Sequence, residues 1–140
     1  AKRVLSTAAR LADIVGVNPN VGEGKFGAEA SASMSADATD EKLGWVREAA
    51  GDRFDDIEIS ILKFVTIVTD DREAVAGKVG PAMGMDAATA LASPHMIIGS
   101  AEQIADELIE QRERWQGSYV TVQSDALESF APVVAALTGT

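Results

Sequence analysis

The 140-residue sequence predicts an α/β fold in which parallel strands are flanked by helices. Three observations carry that expectation. Apolar strands alternate with amphipathic helices in the order helix, strand, helix, strand, helices, strand, helix. The segment Ile57 to Thr69 passes from alternation into an almost continuous apolar run, the pattern of a parallel strand buried on both faces. The breaks between elements carry helix caps and Gly or Pro stops. Together these imply right-handed crossover units around a parallel sheet.

The chain opens on a helical pattern, with Val4, Leu5, Ala8, Leu11 and Ala12 on one face and Arg3 and Arg10 off it. No Ser, Asp or Asn precedes it as a cap, as expected if upstream sequence has been removed. Ile14, Val15 and Val17 make a short strand of buried type, which stops at Asn18-Pro19-Asn20 because proline removes a ladder donor and holds Asn18 extended. Residues 21–36 are small and polar, with Gly22, Gly24, Gly27 and Ser31-Ala32-Ser33, and are expected to form a flexible loop. A helix is predicted from about Thr39 to Ala50, with Asp40 and Glu41 favouring its dipole and Gly51 as a left-handed stop.

Beyond the Ile57–Thr69 strand, Asp70-Asp71 caps a helix to about Val79, where Gly80-Pro81 is expected to break it. A further turn or two spans Asp86 to Leu91, before Ser93-Pro94. After the short apolar run Met96-Ile97-Ile98-Gly99, Ser100 and Gln103 spell a capping box for a helix to about Trp115. That helix turns Ile104, Leu108 and Trp115 inward and pairs Glu110 with Arg114 on its surface. Gly117 ends it, Tyr119 to Val122 is the last strand, and Ser124 or Asp125 opens a terminal helix expected to restart near Ala131 because of Pro132.

Composition bounds what such a domain does. Hydrophobic residues are 46% of the chain and charged residues 24%, which suits one packed domain. With 22 acids against 12 bases the formal net charge is −10, and the basic residues gather only at Lys2-Arg3 and Arg112/Arg114, so nucleic acid and anionic membrane are poor partners. The absence of cysteine rules out disulfides, thiol catalysis and thiolate metal sites and fits a cytoplasmic location. No apolar run nears the ~20 residues of a membrane span, and no signal-peptide pattern opens the chain.

Few residues suggest chemistry by type alone. His95, the one histidine, reads as a partly exposed loop residue after Pro94 because no dyad partner is identifiable, and no catalytic residue is assigned. Gly22-x-Gly24-x-x-Gly27 matches dinucleotide-loop spacing but falls outside a strand-to-helix turn, so it is read as coincidence. Trp45 and Trp115 read as core or interface anchors. One histidine and carboxylates on exposed helix faces leave no metal site.

Three stretches resemble the luciferase-like monooxygenase family, especially its deazaflavin-dependent oxidoreductases: Ala12-Asp13-Ile14-Val15-Gly16-Val17-Asn18-Pro19, Asp40-Glu41-Lys42-Leu43-Gly44-Trp45-Val46, and Ser93-Pro94-His95-Met96-Ile97-Ile98-Gly99-Ser100-Ala101-Glu102-Gln103-Ile104. The resemblance covers essentially the whole chain apart from residues 21–36. It implies a partial (β/α)8 barrel, the last three strand-helix units of that fold. Such a piece would be completed by a homo-oligomer or by a missing N-terminal half. It further implies hydride transfer to, or monooxygenation of, a small organic substrate, with deazaflavin coenzyme F-420, or alternatively FMN, carrying the chemistry in the complete enzyme.

On that resemblance Lys2 and Arg3 would hold the cofactor's phosphate tail at a helix N-terminus. Asn18, Pro19 and Asn20, at a strand's C-terminal end where such barrels build their sites, would line the substrate pocket. From residue type alone the first two also read as solvated bases and the last three as a turn. The alternative is a non-enzymatic oligomerising remnant of the same family, with the chain inactive alone under either reading.

Overall fold

The computed structural model describes residues 1–20 and 28–140. Residues 21–27, and with them the Gly22-x-Gly24-x-x-Gly27 spacing, lie outside the described residues. Helix α1 spans Lys2–Leu11 and starts at Ala1 with no side-chain cap; it is followed by strand β1, Ile14–Gly16. Part of the expected loop is helical: α2 covers Ala28–Ser33 and α3 covers Ala36–Ala50. Helix α3 starts at Ala36 rather than near Thr39 because Ser35 is its N-cap, its side chain accepting from the Ala38 amide. It stops at Gly51, whose φ of 56° is the left-handed geometry that favours glycine. A 3-10 turn, Gly51–Asp56, leads on to the sheet.

The apolar run at Ile57 to Thr69 proves to be two strands: β2, Glu58–Leu62, and β3, Val65–Val68. Strands β1, β2 and β5 (Gly117–Thr121) form a parallel sheet in that order, with Ile14 opposite Glu58 and Ile61 opposite Val120. Strand β3 pairs in parallel with β4, Met96–Gly99, Val65 facing Met96. The change of partner occurs between consecutive residues. The Lys63 amide donates to the Thr121 carbonyl and the Phe64 amide to the His95 carbonyl, each at 2.8 Å.

Burial follows from this split. Val15, Val17, Ile59 and Ile61 are at most 1% exposed and pack with Ala9 of α1, Leu43 and Val46 of α3, and Trp115. Ile14, Gly16 and Glu58, on the other face, are exposed. Helices therefore cover one face of the three-stranded sheet, which corrects the expectation of strands buried on both faces at Ile14–Val17 and Ile57–Thr69. Strand β4 is the one buried throughout: Ile97 joins a core with Ile104, Leu108, Phe130 and Val133, and Met96 and Ile98 join another with Met34, Ala76 and Ala90. The fold is α/β with parallel strands and flanking helices, and among the described residues its sheets do not close into a barrel.

The remaining helices correct the sequence reading in detail. Helix α4, Arg72–Ala82, capped by Asp71, runs through Gly80-Pro81, because Pro81 falls in the last turn. There a Cβ on Gly80 would lie 2.9 Å from the Asp86 carbonyl oxygen, so α4 ends in backbone contact with the cap of α5, Ala87–Ala92. Helix α6, Ala101–Trp115, has the complete Ser100/Gln103 capping box and ends at Gln116, which itself takes the left-handed conformation. Gly117 instead opens β5, where a Cβ would lie 3.0 Å from Ile61 Cδ1. After a 3-10 turn at Ser124–Ala126, α7, Leu127–Leu137, continues through Pro132 without a restart, held to the core by Phe130 and Val133. Among the described residues no helix is long and apolar enough to cross a membrane.

Candidate functional site

The break between the two sheets is built around Lys63, whose side chain is completely buried. A strand that changes partners leaves an irregular seam, and here the seam is filled by an amine. Lys63 Nζ donates to the Pro94 carbonyl at 2.6 Å and to Gln111 Oε1. Gln111 Nε2 donates to Glu107 Oε1 at 3.2 Å, and Glu107 Oε2 accepts from Arg72 Nη2 at 3.1 Å. A four-residue polar relay thus runs from the interior through α6 to the start of α4. Burial pushes the Lys63 ammonium down to about 7, with the Glu107 charge opposing, and pushes the Glu107 carboxyl up against Arg72 and Lys63.

His95 flanks the same seam. It is completely buried, not the partly exposed loop residue expected, because Phe64 takes its carbonyl as a strand partner and draws it under the β3–β4 pair. Its Nδ1 lies 3.1 Å from the Leu62 carbonyl, which can only accept, so Nδ1 carries the proton. Nε2 is then a bare acceptor, buried without a partner among the described residues. Burial lowers the ring to about 4, so the imidazole is neutral at physiological pH. Phe64 meets it edge-on, with ring centroids 6.3 Å apart.

A cavity of about 420 Å³ opens between α3, α4, α5 and α6, with Arg72, Glu107, Gln111, Leu91, Arg114 and Trp115 among its walls. Gln111 and Glu107 belong both to this cavity and to the Lys63 relay. Two of its walls are held by Asp40, which accepts from Arg114 Nη2 and Trp115 Nε1, each at 2.6 Å. Arg114 thus pairs across helices rather than with Glu110, and its guanidinium carbon sits 4.7 Å over the Trp115 ring. Trp115 is core, whereas Trp45 is half-buried.

The residues singled out by sequence lie elsewhere. Lys2 and Arg3 are exposed in the first turn of α1, Lys2 reaching Glu48 Oε2 at 3.5 Å. Asn18 and Asn20 are exposed and Pro19 is buried. Asn18 Oδ1 accepts from the Leu62 amide at 3.4 Å, which ties the turn to the C-terminal end of β2. The Asn20 amide donates to Ser33 Oγ at 2.7 Å, and its Nδ2 to Glu29 Oε1 at 3.1 Å. A second buried lysine, Lys42, donates to the same Ser33 Oγ at 2.9 Å and to the Ser33 carbonyl at 2.7 Å. None of Lys2, Arg3, Asn18, Pro19 or Asn20 lines the cavity over α6.

The first turn of α1 carries the cations Lys2 and Arg3 and no acid of its own, but Lys2 is already shared with Glu48 of α3. Among the described residues no group of His, Cys, Asp or Glu could hold a metal ion. Both buried lysines carried a sequence signal: Lys63 is the one base inside the Ile57–Thr69 strand run, and Lys42 lies on the same helical stripe as Thr39, Leu43 and Val46. No family model, curated protein or solved structure matches this chain.

Proposed function

We propose that the chain is the C-terminal portion of a luciferase-like oxidoreductase that uses a deazaflavin coenzyme, or alternatively FMN, to transfer hydride to a small organic substrate or to oxygenate it. The observation that carries this reading is the β1–β2–β5 sheet: parallel, ordered as its strands occur along the chain, covered by helices on one face and open on the other. All-parallel sheets are ordinarily covered on both faces unless they form a barrel wall, whose inner face is filled from the remaining strands. The β3–β4 pair is then an excursion at the C-terminal end of β2, the end at which barrels carry their sites.

The bound cofactor supplies the hydride or the oxygen chemistry. In this reading the chain binds and shapes. Lys2 and Arg3 hold an anionic tail, Asn18, Pro19 and Asn20 form part of the substrate-side rim, and Lys63 keeps the rim's floor in register through Pro94 and Gln111. The use of both asparagines in internal hydrogen bonds favours a second reading, the oligomerising remnant that binds no cofactor.

A fluorescence titration with deazaflavin coenzyme and with FMN separates the two. The proposal expects saturable binding of one of them, weakened about tenfold in a Lys2→Glu, Arg3→Glu variant that removes the charge-assisted contacts. Absence of saturable binding by either would overturn it in favour of the remnant.

A further inference from the structure

We propose that the cavity over α6 binds an aliphatic amine in its ammonium form. None of Lys2, Arg3, Asn18, Pro19 or Asn20 lines it, so the proposal stands or falls separately from the cofactor reading. At about 420 Å³ the cavity has the size of a small-molecule site. Leu91, Ala92 and Trp115 offer apolar surface for a hydrocarbon body, and α6 sets carboxylates into the same space.

The state of the wall charges selects a cation. Both guanidinium groups are already committed: Arg72 Nη2 donates to Glu107 Oε2 at 3.1 Å, and Arg114 donates to Asp40 through Nε at 3.3 Å and Nη2 at 2.6 Å. An anionic ligand would have to compete with those carboxylates. Asp106 and Glu110, in contrast, line the cavity and enter no ion pair among the described residues. They stand one turn apart on the same face of α6, where like charges repel and a cation between them removes the repulsion. Charges behind the walls do not reverse the balance, because Asp37 and Asp40 act on Arg114 while Arg47 and Lys63 act on Asp40 and Glu107.

The buried part of the wall points the same way. Gln111, 6% exposed, is oriented by Lys63, which donates to its Oε1, so that its Nε2 is presented to Glu107 Oε1. Each Glu107 oxygen thus takes one donor and keeps acceptor capacity for another. Burial pushes the Glu107 carboxyl up, the sign of a carboxylate short of positive partners, and an ammonium group at this wall relieves it. Among the described residues no group of carboxylates could hold a metal ion, so the cation is an organic one with an apolar body.

Titration of the intact chain with pentylamine, 1-pentanol and pentanoate at pH 7 and about 0.15 M salt, followed by two-dimensional NMR, tests this. Pentylamine should shift the Trp115 indole N–H and the α6 amides saturably, with the alcohol and the carboxylate weaker by about tenfold or more because they lack charge-assisted contacts. An Asp106→Asn, Glu110→Gln variant, altered only at exposed positions, should bring the amine down to the alcohol's affinity. Ala92→Phe, which fills the apolar side from another exposed position, should weaken amine and alcohol alike. Amine shifts that do not saturate or that scatter over the acidic surface, pentanol or pentanoate binding as tightly as the amine, or unchanged amine affinity in either variant would overturn the proposal.

Discussion

Stability is expected to rise between pH 7 and 9, and replacing Lys63 with methionine should remove most of that rise. Lys63 has its folded-state value lowered from 10.5 to about 7, so between those limits the unfolded chain binds more protons than the folded one. Stability therefore rises with pH across that window and is flat, for this group, on either side. Two pH units at about 1.4 kcal/mol each amount to roughly 3 kcal/mol, and complete burial of the side chain leaves little solvent screening to reduce it. Lys63→Met keeps the unbranched stem, one atom shorter, and removes the titration, while leaving the Pro94 carbonyl and Gln111 Oε1 without their donor, a pH-independent loss of about 1–3 kcal/mol for each. Urea unfolding followed by the emission of Trp45 and Trp115 at pH 7, 8 and 9 reads both effects, the slope and the offset. A wild-type stability that does not change between pH 7 and 9, or a variant that keeps the wild-type slope, would refute the assignment of the window to Lys63. Glu107, shifted in the opposite sense by the same burial, contributes stability that is lost as pH rises through its folded value, and so acts with opposite sign.

His95 governs the acid side. Its ring falls from 6.5 to about 4 on folding, so its contribution is full above 6.5 and is lost as pH falls toward 4; His95→Phe should flatten that limb in an acid-unfolding series, and an unchanged limb would contradict the neutral buried imidazole. Asp40→Ala should lower stability by about 1–3 kcal/mol by stranding the buried Trp115 Nε1–H, with Asp40→Asn recovering part of the loss. Equal urea midpoints for wild type and Asp40→Ala would show that the indole finds another acceptor.

Much of the architecture was legible in the residue pattern because it is local. Ser100 and Gln103 form the expected capping box, Asp71 caps α4, and Gly51 takes the left-handed stop at the end of α3. The strands at Ile14, Ile57 and Tyr119 become the three members of one parallel sheet. Local logic failed where a distant partner outweighed it. Gly80-Pro81 and Pro132 did not stop their helices, because their neighbours are fastened to the core or to the next cap.

Hydrophobic period and cap chemistry depend on residues a few positions apart, so the sequence alone determined the α/β class and the caps at Gly51, Asp71 and Ser100. The tertiary structure decided the rest through pairings across long separations. Whether Ile57–Thr69 was one strand or two depended on the Thr121 and His95 carbonyls each accepting from one of two consecutive amides. That choice buried Lys63 and His95 and joined Lys63 through Gln111 and Glu107 to a cavity over α6. A lysine in an apolar run is visible in the sequence; that it is sealed in a seam between two sheets is a property of chain packing, because burial is set by neighbours that the local sequence does not name.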